Sequence, residues 1–422
     1  MEQHHARAIL MNGKNVVLTG AAGSGKTTLL QDFIKASRAN GKVVAVTATT
    51  GLAATHLNGT TIHSWAGIGI NDVMSQHMLQ KMPKSRLDTI QKTDILIIDE
   101  ISMLHDFRLD MIDQVLRHAR NSERPFGGLQ VVLCGDFFQL PPINRQGSRG
   151  GTFVHKSSVW NEADFNVCYL TTNYRQIDDT QYATLLQAIR DNTISEVQYE
   201  QLQSRIGVFA DPFETITKLY ATNIDVDSVN DQKLQTISSP TVSYFMETTG
   251  KKQYVDTLKK SCLAPEVLQL KLGAAVMCIK NAQDKSYVNG SLGSVVGFEK
   301  GTDYPQVALQ HGKVVTIKPD TWELQDGETK RASLTQLPLR LAWAITVHKS
   351  QGMTLDAAEI DLSRAFTPGM GYVALSRVKN LKHVYLKGMN AMALQISPEA
   401  LELEVTLRRL SAQAFTDHAH LY

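Results

Sequence analysis

Short apolar runs, each closed by glycine or polar residues, recur along the first part of the chain. Residues 16–19 run into a glycine-rich loop, and residues 26–37 follow with the periodicity of a helix. Further β-branched apolar runs occur at 43–47, 95–98 and 131–134, with helical spacing between them. This alternation predicts a parallel, doubly wound α/β sheet.

Residues 70–82 predict a small helical insert in this first domain. Met74, Met78, Leu79 and Met82 recur there at helical spacing, although ordinary core packing also explains each methionine taken singly.

Residues 272–336 have a different sequence pattern, because glycines and the Asn289-Gly290 pair divide short apolar runs. Residues 307–310 and 313–317 predict a hairpin with a two-residue turn at His311-Gly312. This segment is therefore a small β module. Strands are predicted again at 341–346 and 384–386, so the module is inserted into a second α/β domain.

Composition indicates a folded protein of two or three domains, with 422 residues, 43% apolar and 20% charged. No window approaches the apolar length that spans a bilayer, and the start lacks a signal-peptide pattern, so we expect an interior, cytoplasmic location. The net charge of +2 gives no sign of nucleic-acid binding, but residues 1–60 and 337–390 are locally basic. The four cysteines form no C-x-x-C pair and are expected to be reduced thiols.

Residues 20–27, GAAGSGKT, fit the phosphate-binding loop G-x-x-x-x-G-K-[ST] between a predicted strand and helix. Glycines allow backbone N–H groups to surround phosphate oxygens at the positive end of the helix. Lys26 is predicted to reach the β and γ phosphates, and the Thr27 hydroxyl to bind Mg²⁺.

Asp99 and Glu100 follow the apolar run 95–98, at the carboxyl end of a buried strand. A lone acid there is often a helix cap, but the pair downstream of a phosphate-binding loop favours a hydrolase. Asp99 is predicted to hold the Mg²⁺ shell and Glu100 to polarise the attacking water. Gln139 in GDFFQLPP, Arg175 in NYRQ and Arg377 in YVALSRV are candidates for the γ-phosphate. Taken alone, Gln139 is also explained as a buried polar cap, and each arginine is better explained as a surface ion pair.

Seven motifs in this order make the chain resemble the PIF (petite integration frequency) helicases, superfamily-one DNA helicases that translocate 5′ to 3′. The resemblance covers about residues 3–386 and includes 107–128, similar to a signature stretch of the family. The motifs are GAAGSGKT (20–27), TIHSW (61–65), DEISM (99–103), GDFFQLPP (135–142), YRQ (174–176), AITVHKSQGMT (344–354) and VALSRV (373–378).

The resemblance implies an α/β protein with two RecA-like domains, ATP in the cleft between them and single-stranded DNA across both. It implies a first domain over 1–174, with a helical or loop insert at about 60–88. The second domain covers 175–268 and 337–422, and contains a Src-homology-like β-barrel over 269–336.

The resemblance also implies the site residues and their roles. Arg175 and Arg377 reach the γ-phosphate from the second domain, and Gln351 and Gly352 couple the DNA track to ATP. Gln3 binds adenine. The remaining nucleotide contacts are Gly20, Gly23, Ser24, Gly25, Lys26, Thr27 and Thr28. The DNA track is Thr49, Thr61, His63, Phe138, Thr346, His348, Lys349 and Ser350.

ATP and Mg²⁺ are the implied cofactors, and the implied partners are single-stranded DNA and 5′-tailed duplex or structured DNA, bound by a monomer. The chain begins two residues before Gln3, without the long extension of eukaryotic members, which points to a bacterial or phage-type or trimmed protein. Two alternatives stay open: a nucleotide-gated module that grips nucleic acid without translocating, and an RNA remodeller, since backbone tracking leaves no sequence signature for the sugar.

Overall fold

The computed structural model describes residues 1–422 except 58, 70, 145–148, 211–215, 263, 281, 283, 285, 288–290, 310–311, 327–328 and 422. Contacts divide the chain into two compact units, which are described separately below. The first unit comprises Met1–Ala210 and Ser350–Tyr422, and the second comprises Asp211–Lys349.

The strands, in chain order, are β1 (Val16–Gly20), β2 (Val44–Ala48), β3 (Thr60–Thr61), β4 (Ile95–Asp99), β5 (Gln130–Cys134), β6 (Asn166–Leu170), β7 (Thr217–Tyr220), β8 (Val242–Phe245), β9 (Glu247–Gly250), β10 (Val267–Leu270), β11 (Ala275–Cys278), β12 (Leu292–Phe298), β13 (Pro305–Leu309), β14 (Val314–Thr316), β15 (Asp320–Asp326), β16 (Thr329–Gln336), β17 (Leu339–Leu341), β18 (Ala344–Thr346), β19 (Ala358–Leu362) and β20 (Val384–Met389).

The α-helices are α1 (Gln3–Met11), α2 (Lys26–Ala39), α3 (Gly51–His56), α4 (Ile62–Trp65), α5 (Gln76–Gln80), α6 (Lys84–Lys92), α7 (Asp106–Arg120), α8 (Ser158–Glu162), α9 (Thr180–Arg190), α10 (Glu196–Gln203), α11 (Asn223–Thr236), α12 (Lys252–Ser261), α13 (Met370–Leu375) and α14 (Pro398–Asp417).

A six-stranded parallel sheet forms the centre of the first unit, in the order β3-β2-β4-β5-β1-β6. Its central strands are apolar on both faces because helices cover both. Residues of α1 and α2 pack on this sheet in one buried cluster, together with Ala414 of α14. The carboxyl ends of β1, β2, β4 and β5 meet at one edge, where Leu18 of β1 pairs with Cys134 of β5 and Ala48 of β2 pairs with Asp99 of β4. The predicted strands and the parallel sheet are confirmed.

The helical insert is shorter than predicted. Of 70–82, only Gln76–Gln80 is α-helical, and Ile70 lies outside the described residues. Ser75 starts this helix, because its hydroxyl caps the N–H of Met78 at 3.3 Å. A new helix, α6, begins after Pro83. The Ser75 cap thus starts the helix later than the methionine spacing predicts, and α6 lies beyond the predicted stretch.

The described residues of the second unit include a five-stranded antiparallel sheet in the order β14-β13-β12-β11-β17 and a three-stranded antiparallel sheet in the order β15-β16-β9. The predicted hairpin is confirmed by the antiparallel pairing of β13 with β14. The turn residue His311 and the predicted Asn289-Gly290 turn lie outside the described residues. In the same unit, β8 pairs with β10 in antiparallel orientation and β7 pairs with β18 in parallel orientation.

The single strand predicted over 341–346 is wrong, because the chain changes partners in the middle of it. The N–H of Ala342 donates to the carbonyl of Ala275, the first residue of β11, whereas the carbonyl of Trp343 accepts from the N–H of Lys218 in β7. Residues on either side therefore belong to β17, which is antiparallel to β11, and to β18, which is parallel to β7. The hydrophobic pattern is continuous across this change and does not signal it.

Candidate active site

The loop between β1 and α2 has the geometry of a phosphate-binding loop. Gly20, Gly23 and Gly25 have positive φ of 140°, 84° and 81°, which favours glycine at each position. Lys26, at the start of α2, donates from Nζ to the carbonyl oxygens of Gly20 and Ala21 at 2.8 and 2.9 Å. Burial lowers the pKa of Lys26. The loop thus surrounds the amino group of the Lys26 side chain.

Two neighbouring segments hold this loop in place. The N–H of Tyr174 donates to the Gly23 carbonyl at 2.9 Å, and a Cβ atom at Gly23 would lie 2.6 Å from Cβ of Arg175. The Gln3 side chain of α1 donates from Nε2 to the Gly25 carbonyl at 3.3 Å. Gln3, predicted at the adenine, therefore lies beside the loop.

Asp99 and Glu100 lie at the carboxyl end of β4. Glu100 has a left-handed backbone with φ of 53°, and its N–H donates to Oδ1 of Asp99 at 2.9 Å. Burial and the neighbouring Asp99 raise the pKa of Glu100 to about 7, which suits a general base near neutral pH. The Glu100 carbonyl accepts from the Thr49 hydroxyl at 3.0 Å, so the end of β2 supports the acid pair.

One cleft of about 580 Å³ brings most of the predicted nucleotide residues together, all of them in the first unit. The predicted residues that line it are Gly23, Ser24, Gly25, Lys26, Thr27, Thr28, Asp99, Glu100, Gln139, Arg175, Gly352 and Arg377. Gln351 is buried next to this wall, at 6% exposure. A P-loop lysine, two acids and two arginines facing one cleft form a suitable environment for hydrolysis of a nucleoside triphosphate.

Thr27 and Asp99 fit a magnesium site by the chemistry of their ligand atoms. Both line the cleft and offer a hydroxyl and a carboxylate oxygen, and Mg²⁺ in nucleotide sites uses one or two protein oxygens with phosphates and water. Cys134 lies beside Asp99, and its pKa is raised well above the usual range by burial and by Asp99, so its thiol stays protonated. The described residues contain no group of three or more histidine, cysteine or acidic side chains arranged as a self-sufficient metal site.

Arg175 and Arg377 are held at the wall of the cleft by backbone and hydroxyl oxygens. Arg175 donates to the Thr354 hydroxyl at 3.0 Å and to the Ser376 carbonyl at 2.9 Å. Arg377 is buried at 1% exposure and donates from Nε to the Val373 carbonyl at 2.9 Å. Burial and Arg377 lower the pKa of Arg175 to about 9, so the Arg175 guanidinium remains cationic at neutral pH.

A buried charged cluster lies behind the cleft and was not predicted from the sequence. Arg190 of α9 donates to Asp136 at 3.0 Å and to Glu404 of α14 at 2.9 Å. Burial opposes ionisation of Asp136, but Arg190 and Lys26 outweigh it and lower its pKa. Gln139 donates to the other oxygen of Asp136 at 3.4 Å, and its own Oε1 is buried without a hydrogen-bond partner. The sequence signal was only the acid in GDFFQLPP, since a buried Arg–Glu pair 214 residues apart leaves no local pattern.

Among the predicted DNA-track residues of the first unit, exposure differs widely. Phe138 is 2% exposed, and the Arg190 guanidinium lies 4.0 Å above its ring. Thr49 and Ser350 are also buried, whereas Thr61 and His63 are partly exposed. Burial lowers the pKa of His63 to about 4, so its imidazole is neutral at physiological pH.

The remaining predicted track residues belong to the second unit. Thr346 is buried at the end of β18, and its hydroxyl accepts from the N–H of Lys349 at 3.4 Å. His348 and Lys349 are partly exposed. Burial and Arg340 lower the pKa of Lys349 to about 8, and its ammonium group donates to Asn223 at 3.4 Å.

The four predicted thiols, Cys134, Cys168, Cys262 and Cys278, are free. Over the described part of the chain, no helix has both the length and the apolar character that crossing a bilayer requires.

Comparison with known proteins gives consistent similarities along nearly the whole chain. Residues 2–200 match the family model PIF1-like helicase, and residues 253–298 match the model of the DNA helicase Pif1 2B domain. The ATP-dependent DNA helicase Pif1 of Psychrobacter sp. (strain PRwf-1) is 41% identical over 98% of this chain and 72% of its own length. The ATP-dependent DNA helicase PIF1 of Homo sapiens is 38% identical, over 97% of this chain and 64% of its own length.

Two solved structures show the same fold. The Pif1 helicase from Candida albicans is 33% identical with a TM-score of 0.88, over 96% of this chain and 98% of that one. A Pif1 helicase from Bacteroides, in complex with ADP-AlF3 and single-stranded DNA, is 32% identical with a TM-score of 0.78, over 97% of this chain and 98% of that one. The predicted fold class, RecA-like parallel sheets flanked by helices with a small β insert, is confirmed.

Proposed function

Because the chain belongs to the PIF1-like helicase family, we propose that it is an ATP-dependent DNA helicase driven by DNA-stimulated ATP hydrolysis. The observation that carries this proposal is the single cleft that Lys26, Glu100, Arg175 and Arg377 all line. A nucleotide-gated module that only binds DNA needs the phosphate-binding loop, but it does not need a general base and two arginines that line the same cleft.

In the proposed reaction, Lys26 and the loop amides bind the phosphates, and Glu100 accepts a proton from the attacking water. Gln139 helps to orient this water, while Arg175 and Arg377 stabilise the negative charge that develops on the γ-phosphoryl group. Gln3 contributes to binding of the base.

Thr27 and Asp99 would hold the Mg²⁺ that accompanies ATP, and the ion would neutralise charge on the phosphates. This assignment is supported by the hard oxygen ligands that both residues present to the cleft.

We propose DNA, rather than RNA, as the polymer that the protein follows. The relatives named above are DNA helicases, and one of them was solved with single-stranded DNA. The predicted track residues would contact phosphates and stacked bases. One of them, Thr49, donates a hydrogen bond to the backbone carbonyl of Glu100, whose side chain is the proposed base. Gln351 and Gly352, at the cleft wall, would couple the two sites.

We propose three domains: a first ATPase domain over 1–174, a second over 175–268 and 337–422, and an inserted β module over 269–336. We also propose that a monomer unwinds 5′-tailed duplex or structured DNA in the 5′-to-3′ direction. They are supported by the order of the motifs and by the family. ATP and DNA meet in the cytoplasm of a bacterial cell, where we expect the protein to act.

The proposal is tested by ATP turnover with and without single-stranded DNA, together with nucleotide-binding titrations. The wild type should hydrolyse ATP slowly alone and much faster with DNA. Lys26→Ala should bind ATP poorly, because it loses a phosphate contact. Glu100→Gln should bind ATP normally and lose about 100-fold or more in turnover, because it keeps the shape but not the base.

Asp32→Asn, an exposed change on the same helix as Lys26, is the matched control and should behave like the wild type. Turnover that ignores DNA would contradict the proposal, as would normal turnover in Glu100→Gln.

A further inference from the structure

The hydroxyl of Tyr372 connects the phosphate-binding loop to the buried charged cluster. It accepts from the N–H of Ala22 at 3.0 Å and donates to Oδ2 of Asp136 at 3.2 Å. Tyr372 is 2% exposed and Ala22 is 5% exposed, so water does not compete for these bonds. One side chain thus joins the loop to the strand end that carries Asp136.

The direction of this hydroxyl is fixed by the partners of Asp136. The other oxygen of Asp136 accepts from Arg190 at 3.0 Å and from the N–H of Phe138 at 3.2 Å. Because Asp136 is fully buried and ionised, it has no proton to donate. Tyr372 must therefore give its proton to Asp136 and turn a lone pair toward Ala22.

The place of Tyr372 in the fold gives this contact a functional meaning. Tyr372 lies on α13, and Arg377 follows just beyond the end of that helix. Arg377 is bonded back to Val373 of the same helix. A bond from Tyr372 to the loop therefore fixes the separation between the loop and the arginine proposed to stabilise the reacting phosphate. Small errors in such a separation reduce a rate much more than they reduce ground-state binding.

We propose that Tyr372 is a positioning residue for ATP hydrolysis. Its hydroxyl binds the phosphate-binding loop at Ala22 and so keeps the loop at a fixed distance from Arg377, while Asp136 sets the direction of the hydroxyl. This inference rests on the proposed ATP hydrolysis. It assigns Tyr372 no contact with ATP. The hydroxyl should matter more for the transition state than for the bound nucleotide.

The test compares Tyr372→Phe with Tyr182→Phe. Tyr182 is also fully buried, and its hydroxyl donates at 2.7 Å to the carbonyl of Leu375, the last residue of α13. Both changes remove one buried hydroxyl that is bonded near the same helix, but only the first breaks a bond to the loop. The measurements are turnover at saturating ATP, and affinity for ADP alone and for ADP with aluminium fluoride, with Mg²⁺ and single-stranded DNA present.

Tyr372→Phe removes the bonds to Ala22 and to Asp136, but only the bond to Ala22 holds the loop. We therefore expect turnover and affinity for ADP with aluminium fluoride each to fall about tenfold, the size expected for the lost bond to Ala22, while affinity for ADP changes less than about twofold. Tyr182→Phe should leave all three within about twofold. Thermal unfolding and binding stoichiometry are recorded for both variants, because a misfolded fraction lowers stoichiometry and leaves the ratio of the two affinities unchanged.

An unchanged ratio of the two affinities in Tyr372→Phe would overturn the inference, and so would an equal change in Tyr182→Phe. If the wild type itself fails to hydrolyse ATP, the proposed function fails and takes this inference with it. An active wild type with an unchanged ratio overturns the inference alone.

Discussion

The protonation of several side chains in this protein depends on their burial and neighbours as well as on the residue type. Glu100 is an ordinary glutamate in sequence, yet burial beside Asp99 raises its pKa to about 7. Lys349 is an ordinary lysine, yet burial and Arg340 lower its pKa to about 8. Motif spacing identifies such residues, but their protonation near neutral pH depends on neighbours from distant parts of the chain.

Lys349 gives a pH-dependent prediction for DNA binding. Its pKa is lowered to about 8 by burial and Arg340, with Asp227 opposing the shift, so the side chain is charged below pH 8 and loses its proton as the pH rises above it. A phosphate contact from Lys349 should therefore be present at pH 7 and be lost progressively toward pH 9. Single-stranded DNA affinity, measured by fluorescence anisotropy at constant salt, should fall over this interval.

Lys349→Arg is the matched control, because arginine keeps its charge through pH 9. Its DNA affinity should be flat over the interval in which the wild type declines. Parallel curves for the two proteins would show that Lys349 does not contact the DNA backbone.

At the scale of elements, the last helix is joined to the ATP-binding sheet by buried charge. Glu404 of α14 accepts from Arg190 at 2.9 Å and from Arg408 at 2.8 Å, and the Tyr169 hydroxyl of β6 donates to it at 2.5 Å. Arg190 in turn donates to Asp136 behind the cleft. A helix that contributes no cleft residue therefore helps to set the charge balance next to the active site.

Glu404→Gln should destabilise the protein, because it keeps the side-chain volume but removes the charge that balances Arg190. A hydrogen bond to a charged group is involved, so we expect about 2 kcal/mol less free energy of unfolding. Urea unfolding measures this. Val405→Ala on the same helix, at a position 72% exposed, should cost less than about 0.5 kcal/mol. Equal effects of the two changes would contradict the role of the cluster.

Helices and strands that are marked by a pattern of neighbouring residues were predicted well. Elements whose limits depend on pairing with residues far away in the sequence were not. The strands around the phosphate-binding loop follow from β-branched runs and glycines, and their ends shifted by one residue or so. The break between β17 and β18 could not be predicted, because Ala342 and Trp343 are apolar like their neighbours and only their partners, β11 and β7, separate them. The buried charged cluster around Arg190 was not predicted for the same reason, because its members are far apart in the sequence.

For the whole molecule, three of the ordered motifs located the cleft because GAAGSGKT, DEISM and GDFFQLPP lie at the ends of β1, β4 and β5, and these parallel strands end at a common edge. They did not identify Tyr372, whose importance comes from a bond to Ala22 across 350 positions of sequence. Phe138, predicted on the DNA track, is packed under Arg190 in the interior. Its role in DNA binding stays a prediction.

Strand separation is the measurement that tests the helicase proposal most directly. Fluorescently labelled duplexes with a 5′ tail, a 3′ tail or blunt ends are mixed with the wild type and with Lys26→Ala, with ATP and Mg²⁺ present. We predict that the wild type separates the 5′-tailed duplex in an ATP-dependent manner, with little action on the other two, and that Lys26→Ala separates none. Failure to separate any duplex, or separation that persists without ATP, would contradict the account. Preference for the 3′ tail would contradict its direction.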